Sequence, residues 1–400
     1  MNIFRATNLL LPNIDDLSKW AVIACDQFTS QPDYWEKVRD YTSFSASAYN
    51  LILPEAFLKE DDAQKILQIN STMNDYLEHN IFTEYKNSYV YVERTLLDGS
   101  IRRGIVGAID LEEYDYKPGS TSKIRATEET VAERIPPRKA VRENAPIELS
   151  HVILLCDDER KELIEPLTIV KHTMKKLYSF DLMLGGGKIE GWLVKGESAR
   201  ALTMRIEQYI KRKSKSLSVL FAVGDGNHSL ASAKACYEEG LTSRYAMVEL
   251  ENIYDDAVKF EPIHRIVKNV KPEELISSVK TNICVNGWVN AKNSWPIKFH
   301  AQGNEGTLYI AKAKGASALI VLQKFLDDKN YDIDYIHDID ALKELSSVEN
   351  CVGFELPPFD ENAKRDFFSV ISQNGVMPRK TFSMGHAQEK RYYLEARRIK

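Results

Sequence analysis

The chain has 400 residues, 44% of them hydrophobic and 28% charged, with a formal net charge of -5. That balance fits a folded globular protein and carries no basic excess of the kind a nucleic-acid binder shows, so nucleic acid is not expected as a partner. Five scattered cysteines without a CxxC pair exclude a disulfide framework and a structural zinc site, and no apolar run approaches the ~18 residues of a membrane span.

The N-terminus, MNIFRATNLLLPNIDD, lacks a basic stretch followed by a long apolar one, and a cytoplasmic location is expected. Trp20 to Cys25 reads as a short buried strand closed by Asp26. A carboxylate just past a strand end often lies at a cleft, so Asp26 is a candidate general base. Ser30-Gln31-Pro32 reads as the entry to a helix over Asp33 to Asp40, and Ile66, Ile69, Met73, Tyr76 and Leu77 carry helical spacing. Ser88 to Thr95 and Ile101 to Ile109, joined by Asp98-Gly99, predict a half-buried antiparallel hairpin.

Residues 112–150 are polar and rich in both signs of charge. Thr127 with Glu128 to Glu133 suits a short helix that Pro136-Pro137 would end. Arg125, Arg134 and Arg138 are either a solvated surface or clamps for an anion, since a guanidinium grips phosphate with two parallel bonds. Val152 to Cys156 predicts a buried strand, Pro166 to Lys176 a helix, and Asp181 to Val194 a hairpin around Gly185-Gly186-Gly187. The triple glycine is no Walker loop, because no GKS or GKT follows. Arg200 to Lys213 reads as an amphipathic helix.

The densest chemistry lies in Phe221–Lys234, FAVGDGNHSLASAK. An apolar strand stops at Gly224-Asp225-Gly226, the polar residues Asn227, His228 and Ser229 follow, and a small-residue helix begins. The first turn of a helix carries unpaired N–H groups and the positive end of its dipole, so Asp225, Gly226, Asn227, His228 and Ser229 form a candidate phosphate or nucleotide site. Beyond it come a strand at Tyr245 to Leu250, the compact group Glu261 to Val267 with His264 and Arg265 as further candidate anion contacts, and a helix from Pro272. Strands at Trp295 to His300 and Thr307 to Ala311, helices at Ser317 to Lys329 and Glu361 to Gln373, and a strand-and-turn segment at Val376 to Gly385 complete the pattern.

No histidine pair has metal-ligand spacing, so no protein-held metal is expected, although a magnesium ion could ride with a nucleotide through Asp225. The GxSxG elbow of serine hydrolases is absent. Phosphoryl chemistry fits the residues best: backbone amides and His228 on the phosphate, Glu128 or Asp26 as base, and Arg125, Arg134 or Arg265 on the developing charge.

VGDGNHSLASAK resembles the DGHHR-type box of the ParB/sulfiredoxin superfamily, in particular domain-of-unknown-function family 1015. Lys19 to Ser30, Ile124 to Glu128, Arg134 to Arg138, Phe260 to Arg265 and Met377 to Gly385 agree across nearly the whole chain. The resemblance implies an α+β fold of mixed β-sheets with flanking helices around a ParB/sulfiredoxin-like core. It implies nucleotide phosphates at the box, with ATP, ADP or CTP and magnesium as the cofactor, and a link to serine or phosphoserine through the free-serine kinases. Asn227 and Ser229 stand where the box usually has histidine and arginine, so a bidentate clamp is missing. The expected segments are 1–135, 136–272 with the box, and 273–400, with soft boundaries that leave one compact body open. The expected function is phosphoryl transfer or hydrolysis on a small molecule, as a phosphotransferase or phosphatase. The alternative is a nucleotide-responsive regulatory protein without catalysis. The partner is a nucleotide or phosphorylated small molecule, no membrane is involved, and a homo-oligomer is left open.

Overall fold

The Asp98-Gly99 signal gives a hairpin of two long strands, Phe82–Thr95 against Ile101–Asp110, with Gly99 at φ 81° as the turn requires. The computed structural model describes residues 3–29, 31–57, 62–117, 119–128, 130–313, 316–357, 361–377 and 380–400. Ser30, Glu129, Pro378 and Arg379, used above, lie outside the described residues. The fold is mixed α+β, and the chain divides into two compact units, residues 1–258 with 385–400, and residues 259–384.

In the first unit the hairpin stands within a thirteen-stranded mixed sheet among the described residues. Its main path runs from Tyr114–Asp115 and Ile124–Ala126 to Phe221–Asp225, Ile153–Cys156, Tyr245–Asn252 and the hairpin. From there it continues through Thr7–Pro12 and Ala396–Arg398 to Ile147–Leu149. Segments distant in sequence thus close one sheet. The hairpin is not half-buried as its alternation predicts. Tyr89 and Tyr91 join one apolar cluster and Val90 and Val92 another, and all four are at most 2% exposed. A strand sandwiched on both faces buries both of its side-chain rows.

Two expectations change locally. Trp20 ends a short helix, Leu17–Trp20, that Asp16 caps through the Ser18 N–H, and only Val22–Ile23 is strand. Pro136 and Pro137 begin a helix, Ile135–Arg142, rather than end one. Proline suits the first turn, where its missing N–H would have no partner. The strand Ile124–Ala126 and a 3₁₀ turn, Ala132–Arg134, precede it in place of the expected helix.

The second unit holds a five-stranded antiparallel sheet ordered Asn304–Ala311, Ser294–Ala301, Val352–Glu355, His264–Lys268, Asp332–Ile336. Helices Pro272–Ile283 and Ala318–Asp328 supply Leu275, Val279, Leu322 and Leu326 to its apolar core. A smaller pair, Phe260–Pro262 with Phe382–Met384, is filled by the rings of Phe260, Phe367 and Phe382.

Candidate functional site

Strand direction assembles the site. Phe221–Asp225 pairs parallel with Ile124–Ala126 and antiparallel with Ile153–Cys156. The parallel neighbour therefore ends, and the antiparallel one begins, at the edge where the Gly224–Ser229 turn emerges. Thr127 and Glu128 follow the first neighbour there, and Thr127 Oγ1 donates to the Val223 carbonyl at 2.7 Å. His151 and Val152 precede the second. Gly226 takes the left-handed conformation, φ 80° and ψ 27°, as the N-cap of helix Asn227–Glu238. A side chain there would meet Val152 Cγ2 at 3.0 Å and His151 Cδ2 at 3.3 Å, so glycine alone fits both the angle and the space.

Among the described residues no side chain caps this helix. The N–H groups of a first helical turn have no intrahelical carbonyl to bond. Asp225 Oδ1 accepts the Gly226 N–H at 3.0 Å, and Asp225 Oδ2 faces Lys390 Nζ at 3.4 Å. His228 Nε2 accepts the Val131 N–H at 3.2 Å, which assigns the proton of its neutral ring to Nδ1. Small residues allow the helix to lie close to Ile135–Arg142, with Ser232 Oγ donating to Ile135 O at 3.3 Å. Ser229 lines a cavity beside that contact.

Asp26 reaches the same edge from the end of Val22–Ile23, which pairs with Tyr392–Tyr393. Its side chain is 26% exposed and lies 3.7 Å from His151 Nε2. Gln27 Nε2 donates to Asp26 Oδ1 at 3.0 Å. The other ring nitrogen, His151 Nδ1, is 2.7 Å from the Tyr393 hydroxyl, which also lies 3.1 Å from Cys25 Sγ. Burial pushes the Asp26 carboxyl up, but His151, the Gln27 hydrogen bond, and the Lys390 and Arg138 cations outweigh it and leave it below its ordinary range. Burial lifts the Tyr393 hydroxyl well above its ordinary value and pushes the Cys25 thiol up to about 11. At neutral pH the cluster therefore holds a carboxylate, a neutral phenol and an un-ionised thiol. Cys25 is not a thiolate nucleophile. The carboxylate can orient a hydroxyl or water for attack.

His151, Tyr393 and Lys390 went unnoticed in the sequence. Their signal is positional: His151 stands just before a buried strand, and Lys390 and Tyr393 lie in an alternating segment whose partner strand is more than 360 residues away.

The remaining candidates are placed as follows. Arg125 Nε donates to Ser122 O at 2.9 Å and Nη2 to Ser218 Oγ at 2.8 Å, so its guanidinium sits where the box strand enters, at the end away from the turn. Arg134 is exposed and makes no side-chain bond among the described residues. Arg138 pairs with Glu55 beside the cavity. His264 begins a strand of the second unit and Arg265 follows inside it, and both are buried, Arg265 at 0% exposure. Among the described residues no group of three or more His, Cys, Asp or Glu side chains could hold a metal ion. No helix among them is long and apolar enough to cross a membrane.

No curated protein matches the chain. Among solved structures it is similar to a C-terminally truncated SbnI from Staphylococcus aureus, at 12% identity over 67% of this chain and 81% of that one, with a TM-score of 0.35. It is similar to a conserved hypothetical protein from Pyrococcus furiosus, at 12% identity over 70% and 91%, TM-score 0.31. It is also similar to a free serine kinase in complex with AMP, at 13% identity over 70% and 92%, TM-score 0.35. Residues 6–398 match a single family throughout, and the chain belongs to it: the family described as Protein of unknown function (DUF1015).

Proposed function

We propose that the Asp225–Ser229 turn binds the phosphate of a nucleotide or of a phosphorylated small molecule, and that the chain transfers or hydrolyses a phosphoryl group there. The observation that carries this reading is the left-handed helix start at Gly226, packed against His151, whose Nε2 lies 3.7 Å from Asp26 Oδ2. Backbone N–H groups of the first turn and His228 bind phosphate oxygens. Asp26, positioned by His151, orients the attacking hydroxyl or water, with Glu128 as the second carboxylate at the same strand edge. A magnesium ion accompanying ATP, ADP or CTP would take Asp225 Oδ2 in exchange for the Lys390 ammonium that faces it. Serine and phosphoserine are the first substrates to try, on the resemblance of the box to that of the ParB/sulfiredoxin-like core.

Ser229 in place of an arginine clamp favours one second reading, a nucleotide-responsive protein that binds without catalysis. Thermal-shift measurements with inorganic phosphate, AMP, ADP, ATP, CTP, serine and phosphoserine test both. A ligand at a hundred times its Kd stabilises by about 2.7 kcal/mol, a rise of roughly 3–5 °C for a body of this size. Such a rise, abolished in Asp225→Ala and His228→Ala, supports the site, and phosphate release or mass spectrometry then separates catalysis from binding. No shift with any compound, and none altered by the two substitutions, removes the reading.

A further inference from the structure

A cavity of about 120 Å³ opens beside Ser229 of the box helix, and its lining also includes His151 and Cys25, the neighbours of Asp26. Most of its wall is hydrocarbon: Leu51, Ile52, Leu53, Met73, Val141 and Ile147. Several polar groups on that wall already have partners, while Arg142 Nε has none among the described residues. Glu55 pairs with Arg138. Glu148 accepts Arg142 Nη2 at 2.5 Å, Arg397 Nη1 at 3.0 Å and the Met247 N–H at 2.8 Å. His151 Nδ1 is engaged by Tyr393. A polar occupant would give up most of its hydrogen bonds to water for contact with hydrocarbon. An apolar one gains by leaving water. The volume sets the size: an engineered apolar cavity of about 150 Å³ holds a benzene molecule.

We infer that the ligand of this site carries a small apolar arm, a single aromatic ring or a branched alkyl group, that enters this cavity while its phosphate lies on the Asp225–Ser229 turn. The inference rests on the phosphate reading of that turn. It makes the substrate class an organic phosphate with an apolar substituent. In phosphoserine the carboxylate and ammonium groups would face hydrocarbon.

Calorimetric titration of the full chain with inorganic phosphate, phosphoserine and phenyl phosphate tests the inference. Phenyl phosphate is expected to bind at least about tenfold more tightly than the other two, in line with the transfer of one ring out of water. Ala145→Phe, which fills the cavity from its wall, brings phenyl phosphate down to the affinity of inorganic phosphate. Val141→Phe, at a half-buried position of the same wall, gives the same result should the first variant not fold. Gly226→Ala weakens all three ligands together. Equal affinities in the unaltered chain, with Gly226→Ala still weakening each, overturn the apolar arm and leave the phosphate site standing. No binding of any of the three removes both.

Discussion

Two polar clusters contain a histidine beside a charged residue, and their settings are opposite. In the first unit Asp225 to Ser229 run from the end of a strand into a helix start that has no side-chain cap among the described residues, with Ser229 on the wall of a cavity. In the second unit His264 opens a strand, and Arg265 lies inside it with neighbours on both sides. Arg265 Nε donates to Gln323 Oε1 at 2.9 Å, and Nη1 donates to the Ile263 carbonyl and, at 2.8 Å, to the Lys380 carbonyl. Its guanidinium also lies 5.0 Å from the centre of the Tyr335 ring. His264 Nδ1 accepts the Leu356 N–H at 3.1 Å, and burial lowers its pKa. A polar residue within a buried strand must be satisfied by its own surroundings, whereas one past the strand end keeps groups for a ligand. Residue type alone does not separate the two cases; position relative to the strand does.

The largest expected effect separates chemistry from binding. Asp26→Asn should lower turnover by about 10²- to 10⁴-fold while leaving ADP affinity near that of the unaltered chain, measured by steady-state kinetics and calorimetry. Arg265→Met should cost about 3 kcal/mol in chemical denaturation, because buried acceptors lose their donor, with phosphate affinity unchanged. If that substitution instead weakens phosphate binding, the contrast drawn above is broken. Gly226→Ala should cost about 1–3 kcal/mol through its backbone angle and the close approach of Val152.

A fourth effect is read from pH. The Asp26 carboxyl lies below its unfolded value, so the folded chain binds that proton more weakly than the unfolded one. Its contribution to stability is complete above the ordinary aspartate range and is lost as pH falls through the lowered value. The difference in melting temperature between the unaltered chain and Asp26→Asn should therefore be constant above about pH 5 and shrink below about pH 4. An unchanged difference down to pH 2 would detach Asp26 from its cations. The smallest effect concerns Cys25, whose thiol stands near 11. Its alkylation by iodoacetamide, mapped by mass spectrometry, should be slow at pH 7 and rise about tenfold per pH unit towards that value.

The sequence made the local elements readable and left their directions hidden. The hairpin at Asp98-Gly99 and the strand-turn-helix at Gly226 announce themselves through turn chemistry, and the structure has both. Asp26 was readable as a carboxylate at a strand end. His151 was not, because it joins the site only through the antiparallel course of Ile153–Cys156. Arg125 looked like an anion clamp, yet its side chain turns back along the strand to Ser122 and Ser218. Lys390 and Tyr393 depend on a pairing with Val22–Ile23 that no local pattern encodes.

That pairing bears on the order of synthesis. The chain leaves the first unit at Val258, makes the whole of the second, and rejoins the first at Gly385. A ribosome that has produced everything up to that point has made the box, Asp26 and His151, but neither the lysine that faces Asp225 nor the tyrosine that holds His151. Until the returning segment arrives, Val22–Ile23 lacks the strand it pairs with, and an unpaired edge is open to other chains. The returning strands thus both fill places in the sheets and bring Lys390 to Asp225 and Tyr393 to His151.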